Sequence, residues 1–447
     1  MTDIIKILSP EGFIEEKKYI FWIISDLLGA ELVIEFQKRN DYKLILPNGK
    51  EIVFSDSFFG KLKDHDYIKP ENIPEEILYL SNDYAKELPV IFGDNSFSEH
   101  ENEVILGLDL PASVFFMISR WEETAIKEKD DHGRFPGGLS LAVKHGFIKR
   151  PVVDEYIGFL KEIIKKLDTS VSFSEHTPEL IITCDVDSFE KFNSGHTLKM
   201  FAGHLIKRLD PVLFATDLVK YLGKTFFGVK DPYQTFDRIF SIAEKFNTKP
   251  VFFILTSPED PYSDGWFTTA EKDIVMFGSL KQKNAEIGLH YGYFSLLNEK
   301  NIISEKTYLE KKYNIKVEKG RAHFLQFNIR SSFDILEKAG IKDDYSLGYS
   351  RHAGFRCGTG RAFKPWNIDR KQAYNMIEHP LIVMDTTLYA HNKLNKIQIK
   401  AEFEYFMNIS KMYQTDLTIL IHNSSPDYLF EAIEEVFKLI ISFSKNN

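Results

Sequence analysis

Leu180-Ile181-Ile182-Thr183-Cys184-Asp185-Val186-Asp187 is a short apolar run that ends in two carboxylates. The design recurs downstream. Glu286–His290, Arg321–His323, Gly354–Arg356 and Leu417–His422 each bring a His or an Arg to a hydrophobic stretch. A barrel of parallel strands builds its site in this way, because the strand ends converge on one face while helices hold the rest rigid. Asp, His and Arg side chains gathered there point to a metal-assisted hydrolase.

Outward from that run, everything after Pro178 alternates between strand-like and helical segments. Val251–Leu255, Ile287–His290, Arg321–Phe327, Ile382–Asp385 and Leu417–His422 read as strands, with Tyr345–Tyr349 as a further candidate. Thr235–Phe246, Thr269–Lys283, Ser304–Tyr313, Ser331–Ala339, Ile399–Tyr413 and Tyr428–Phe443 read as helices. Such alternation implies parallel strands joined by crossover helices. No Gly-rich phosphate turn follows the first strand, so a distorted (β/α)7 barrel over residues 178–447 fits better than an open nucleotide-binding sheet.

The first 170 residues have another style. Glu15–Leu28 has helical spacing and stops at Gly29. Glu31–Phe36, Tyr42–Leu46, Ile52–Phe54 and Glu103–Leu108 read as strands, the middle two joined by a tight Asn48-Gly49 turn. Ala112–Glu122 and Val152–Leu167 read as helices. The expectation is a smaller α+β domain over 1–170, with the Ser- and Thr-rich Thr169–Pro178 as linker.

Lys+Arg 56 against Asp+Glu 65 gives a net charge of −9, which argues against nucleic acid or an anionic membrane surface as the main partner. Cys184 and Cys357 form no metal-spaced pair and read as buried free thiols in a reducing compartment. The N-terminus lacks a secretory pattern. Tyr19–Phe36, the most apolar early stretch, is interrupted by Asp26, Glu31 and Glu35 and cannot cheaply span a bilayer. A cytoplasmic protein with no membrane span is expected.

The chemistry starts at Asp185 and Asp187. Residues two apart on a strand point to one side, so both carboxylates can face one cavity. They would repel unless a cation neutralised one, leaving the other free as a base. His290 and His422 also end apolar strands, and Tyr291 and Tyr293 follow His290 as candidate sugar-stacking faces, as does Trp366.

These residues carry a resemblance to the NodB-type polysaccharide deacetylases, carbohydrate esterase family four, over about residues 178–447. Thr183–Asp187 is similar to the family's Thr-Phe-Asp-Asp motif with one residue inserted. His290 matches the first His of its His-Ser/Thr-x-x-His motif, whose second His falls on Phe294. Arg321 matches the first residue of Arg-x-Pro-x-x-x-Trp, where His323 replaces Pro and Phe327 replaces Trp. Leu420-Ile421-His422 matches the closing Leu-x-His. The resemblance implies a seven-stranded (β/α) barrel, a divalent metal, here zinc, and removal of acetyl groups from a carbohydrate.

By position, the resemblance makes Asp185 the base and Asp187 and His290 metal ligands. The missing second His leaves a gap that His323 can fill, because neighbouring strands lie about 4.8 Å apart. Arg321 would hold Asp185 ionised and His422 would protonate the leaving group, with Asp385 orienting it. Arg356 is placed to bind an acidic or hydroxylated substrate. Arg120-Trp121-Glu122-Glu123 reads as structural or as part of a cleft rim. Two other readings stay open: an amidohydrolase on a small non-sugar amide, and a carbohydrate-binding protein whose site has degenerated.

Overall fold

The computed structural model describes residues 4–62, 66–192, 196–207, 209–256 and 271–444. Thr269 and Ala270, the start of the helix expected over Thr269–Lys283, lie outside them; the described helix runs Glu271–Gln282. The chain forms two compact units. One comprises Met1–Glu179, Leu325–Val383 and Tyr405–Thr418; the other comprises Leu180–Phe324, Met384–Glu404 and Ile419–Asn447.

The first unit contains a six-stranded mixed sheet built from β1 (Ile5–Pro10), β2 (Leu32–Gln37), β3 (Asp41–Ile45), β4 (Glu51–Ser55), β5 (Gly93–Glu99) and β6 (Glu103–Leu108), in the order β2-β1-β3-β4-β6-β5. Alternation makes these strands: Ile5 and Ile7, Tyr42 and Leu44, and Val104 and Leu106 are buried while their neighbours reach outward. The expected hairpin joins β3 to β4, with Gly49 at φ 86° donating its N–H to Leu46 C=O at 2.8 Å. β1 and β5 were not anticipated. β5 is largely exposed and reads Gly-Asp-Asn-Ser-Phe-Ser-Glu, so it carries no apolar alternation to find. Helix Ile14–Leu28 ends at Gly29, whose φ of 71° closes the helix. An aromatic core of Tyr19, Phe58, Phe59, Tyr67, Phe115 and Trp121 fills the unit.

The second half is carried by an eight-stranded sheet. Six consecutive strands of it are β7 (Leu180–Val186), β8 (Val251–Leu255), β9 (Glu286–Tyr291), β10 (Lys319–Ala322), β11 (Leu381–Met384) and β12 (Leu417–Leu420), in the order β10-β9-β8-β7-β12-β11. β7–β8, β8–β9 and β9–β10 pair in parallel. Every residue of β8 is buried, as expected of a parallel strand covered on both faces. The register sets Leu255 opposite His290 and His290 opposite Arg321, which lines up the strand ends.

Pairing thus gives a mixed α/β fold with eight strands in this sheet, where seven closing strands were expected. Tyr345–Tyr349 is not a regular strand. Beside β11 the backbone is irregular: Leu381 N–H donates to Leu347 C=O at 3.2 Å and Gly354 N–H to Ile382 C=O at 2.9 Å. Arg321–Phe327 also stops early as a strand. After Ala322 the chain enters a 3-10 turn over His323–Leu325, with Phe324 and Leu325 at φ 58° and 53°. Helices His196–Ile206 and Pro211–Phe227, both unanticipated, form a hairpin between β7 and helix Phe236–Lys245.

Candidate metal and acid–base site

Asp185 lies near the end of β7 and Asp187 just beyond it, and both reach the end of β9. His290 Nε2 lies 3.7 Å from Asp185 Oδ2 and 3.4 Å from Asp187 Oδ1. His290 Nδ1–H donates to the backbone C=O of Arg321 at 3.0 Å, so the neutral ring presents the Nε2 lone pair toward Asp187. The turn that ends β10 brings in His323, whose Nε2 is 3.8 Å from Asp187 Oδ1. The two imidazoles meet edge to face, their centroids 4.9 Å apart.

The three ligand atoms of Asp187, His290 and His323 all lie within 4.8 Å of one another. Asp187 Oδ1 and His290 Nε2 are buried and have no hydrogen-bond partner. A buried carboxylate oxygen and a buried imidazole nitrogen left without partners are costly. A divalent cation would satisfy both at once, so the donor set fits a metal of zinc type. Burial works to raise the Asp187 carboxyl, but His290 and His323 beside it prevail and hold it well below the usual carboxylate range. Burial likewise opposes charge on His290, yet the neighbouring carboxylates raise its pKa.

Asp185 belongs to a second arrangement. Arg321, fully buried, donates from Nη1 to Asp185 Oδ1 at 3.0 Å and to Thr183 Oγ1 at 2.7 Å. Thr183 in turn donates to Ile419 C=O at 2.7 Å, tying β7 to β12. The guanidinium also lies over the Phe253 ring, 4.8 Å from its centroid. Thr183 was not singled out from sequence, although it stands within the first motif.

The third arrangement is His422 with Asp385. The Nδ1–H of His422 donates to Asp385 Oδ1 at 2.7 Å, and its backbone N–H donates to Oδ2 at 2.6 Å. Ser425 Oγ donates to the same Oδ2. Ser425 was not singled out either; its place three residues after a strand-end His is the only cue. Burial disfavours the imidazolium, but Asp385, with Asp187 and Asp185 beyond it, overrides this and pushes His422 up to about 10. His422 is therefore a cation at neutral pH, with Nε2–H left to give.

Three expected substrate contacts are engaged in packing or ion pairs. Tyr291 is fully buried, and its ring packs where a side chain on Gly320 would stand, with ring atoms 2.2 Å from a Cβ built there. It follows His290 by one residue on a strand and so points to the opposite face. Trp366 lies in the first unit's aromatic core, 4.8 Å from Tyr19 and 5.9 Å from Phe115 between ring centroids, with Nε1 donating to Tyr67 at 3.2 Å. Arg356, also in that unit, is ion-paired with Glu123 through Nε at 3.0 Å and donates to Gly348 C=O at 2.8 Å. None of the three presents a free face to a sugar.

Residues 5–169 match DUF7033, a family of unknown function. No curated protein matches in sequence. Among solved structures, the chain is similar to a candidate polysaccharide deacetylase from Mycobacterium smegmatis, at 16% identity and a TM-score of 0.38, over 59% of this chain and 85% of that one. A mutant of a CE4 family pseudoenzyme with restored enzymatic activity matches at 12% identity and a TM-score of 0.28, over 48% and 60%. The Streptococcus pyogenes deacetylase PplD in complex with acetate matches at 13% and 0.23, over 46% and 92%. Likeness at this level carries no functional weight, and the chemistry has to come from the site's own geometry.

Proposed function

We propose that this chain is a divalent-metal-dependent hydrolase that removes acetyl groups from an N-acetylated sugar or glycan precursor. In this reading zinc is the ion, the second-half sheet works as a distorted (β/α)7 barrel, and the protein acts in the cytoplasm. The observation that supports it most is the pair of partnerless buried atoms, Asp187 Oδ1 and His290 Nε2, with His323 beside them. When bound there, zinc would supply Lewis-acid polarisation of an acyl carbonyl.

The chain's own groups supply the rest. Asp185, ion-paired to Arg321, takes the proton of the attacking water. His422 gives its Nε2 proton to the departing sugar nitrogen, which makes an amine a workable leaving group. Asp385 keeps Nδ1 occupied and the ring aligned, and Ser425 with two backbone N–H groups keeps Asp385 aligned in turn. Base and acid thus have partners of opposite sign, a cation behind Asp185 and an anion behind His422, which suits their opposite tasks.

The test pairs metal analysis with acetate release from a panel of N-acetyl sugars. The parent protein should hold about one divalent ion per chain and release acetate from at least one of them. A protein that holds the ion but releases no acetate from any sugar amide on the panel, while still binding the sugars, would establish the degenerate binding module instead.

A further inference from the structure

Apart from the site, the helical hairpin His196–Ile206 and Pro211–Phe227 stands out because its apolar residues exceed what it buries. Its inner side is complete. Phe201 meets Phe214 at 5.4 Å and Tyr221 at 5.9 Å between centroids, and Phe192 meets Tyr221 at 5.7 Å. The buried Asp217 is held by Lys191 at 2.6 Å and His204 at 3.0 Å, and Lys224 reaches Asp231 at 2.8 Å. The outer side of the second helix nevertheless repeats Val212, Ala215, Val219, Leu222 and Phe226, all exposed, at the three- and four-residue spacing of one face. Leu198, Ala202 and Leu205 repeat the pattern on the first helix. Leu209 is 78% exposed and Phe227 81%. A helix that is apolar on both faces is one that something covers.

Charge decides what covers it. Lys199 and Lys220 are exposed on these helices and Lys207 just after the first, while Lys230 beside them pairs with the exposed Asp237 at 3.1 Å. No carboxylate among the described residues from 196 to 230 is exposed: Asp217 is buried, and Asp210 is half-buried and accepts the N–H of Leu213 at 2.8 Å. A second copy of the chain docked on this face would set lysine against lysine. A surface of anionic lipid headgroups instead meets the lysines with opposite charge and takes the apolar stripe into its acyl boundary. No helix among the described residues is long and apolar enough to cross a membrane, so the hairpin would lie on the bilayer rather than span it. We infer that the 196–230 hairpin docks the protein on anionic lipid bilayers. The chain's net charge of −9 conceals this, because it averages over residues that never meet the surface.

The experiment is co-sedimentation of the full chain with phosphatidylglycerol-containing vesicles and with pure phosphatidylcholine vesicles, alongside light scattering without lipid. The parent should bind the anionic vesicles and lose affinity at high salt. Lys199→Gln together with Lys220→Gln should weaken binding by about fivefold per lysine, the scale of one cation at an anionic surface. Phe226→Ser with Phe227→Ser should weaken it in both salt conditions. All are exposed positions, and unchanged acetate release and circular dichroism confirm that the variants fold. No binding of the parent to anionic vesicles overturns the inference. A dimer in solution that Phe226→Ser dissociates, with no vesicle binding, makes the face an interface between copies instead.

Discussion

Each unit buries a set of charged side chains, and the two sets are finished differently. In the first, Arg120 pairs with Glu122 and with Glu123 at 3.0 Å, and Glu123 also receives Arg356. Ser140 Oγ and Leu141 N–H donate to Glu122, and Tyr349 OH accepts from Arg120 and donates to Glu123. This network is closed: cations and anions answer one another, and its hydrogen bonds lie within the unit. In the second, Asp185, Asp385 and His422 are likewise answered, but Asp187 Oδ1 and His290 Nε2 are left open beside His323. Buried charge alone therefore does not mark a site. Open positions that converge with a further ligand atom, as at Asp187, His290 and His323, do.

The largest expected effect breaks the open set. Asp185→Asn should keep the metal, since Asp187 remains, and lose on the order of 10²–10⁴ in acetate-release rate, the usual scale of a general base. Equal rates for variant and parent would remove Asp185 from the chemistry. His290→Ala should abolish stoichiometric metal retention in elemental analysis, whereas retention in His323→Ala would move His323 from ligand to substrate contact.

The closed set should answer in stability. Glu123→Gln leaves Arg120 and Arg356 buried with reduced compensation and should cost about 3–5 kcal/mol in urea unfolding. Metal content at low denaturant should stay at the parent's level.

A smaller effect concerns pH. The folded-state pKa of His422 is raised to about 10, so its contribution to stability is fully present below the unfolded value near 6.5 and is lost as pH rises toward 10. Asp385→Asn removes the main source of that rise. The variant should therefore lose less stability than the parent between pH 7 and 10, and its alkaline limb of activity should move to lower pH. Identical slopes would show that Asp385 does not govern His422. The smallest effect on activity is expected of Trp366→Phe, which shrinks a buried ring and removes its donor to Tyr67 at a cost of about 0.5–3 kcal/mol, and should leave KM for any sugar unchanged. A raised KM would return Trp366 to substrate binding.

Much of this was legible because strand periodicity is simple. β8 and β6 were readable residue for residue, and the parity of Asp185 and Asp187 pointed both carboxylates toward one cavity. The same parity, applied to the residue after His290, excludes Tyr291 from the cavity. Other features were hidden for physical reasons. The helices of the 196–230 hairpin are apolar on two faces, so no contrast marks their period. Arg356 cannot be told from a substrate-binding Arg until Glu123, distant in sequence, is found beside it. His323 was read as the third residue of a strand, whereas it opens a turn, and only that turn swings its ring toward Asp187.

Several hydrogen bonds of the first unit join residues far apart in the chain. His176 Nε2 contacts Asp416 Oδ1 at 2.7 Å, Leu417 N–H donates to Glu179 C=O at 2.9 Å, and Gly360 N–H donates to Thr415 Oγ1 at 2.8 Å. Val153 N–H, at the start of helix Val152–Leu167, donates to Gly358 C=O at 2.8 Å. On the ribosome, the early sheet can form while the helix beside it still lacks these partners. That unit cannot be complete until residues 358–417 have emerged, and a nascent chain stalled near residue 180 would leave Val153, His176 and Glu179 without these partners.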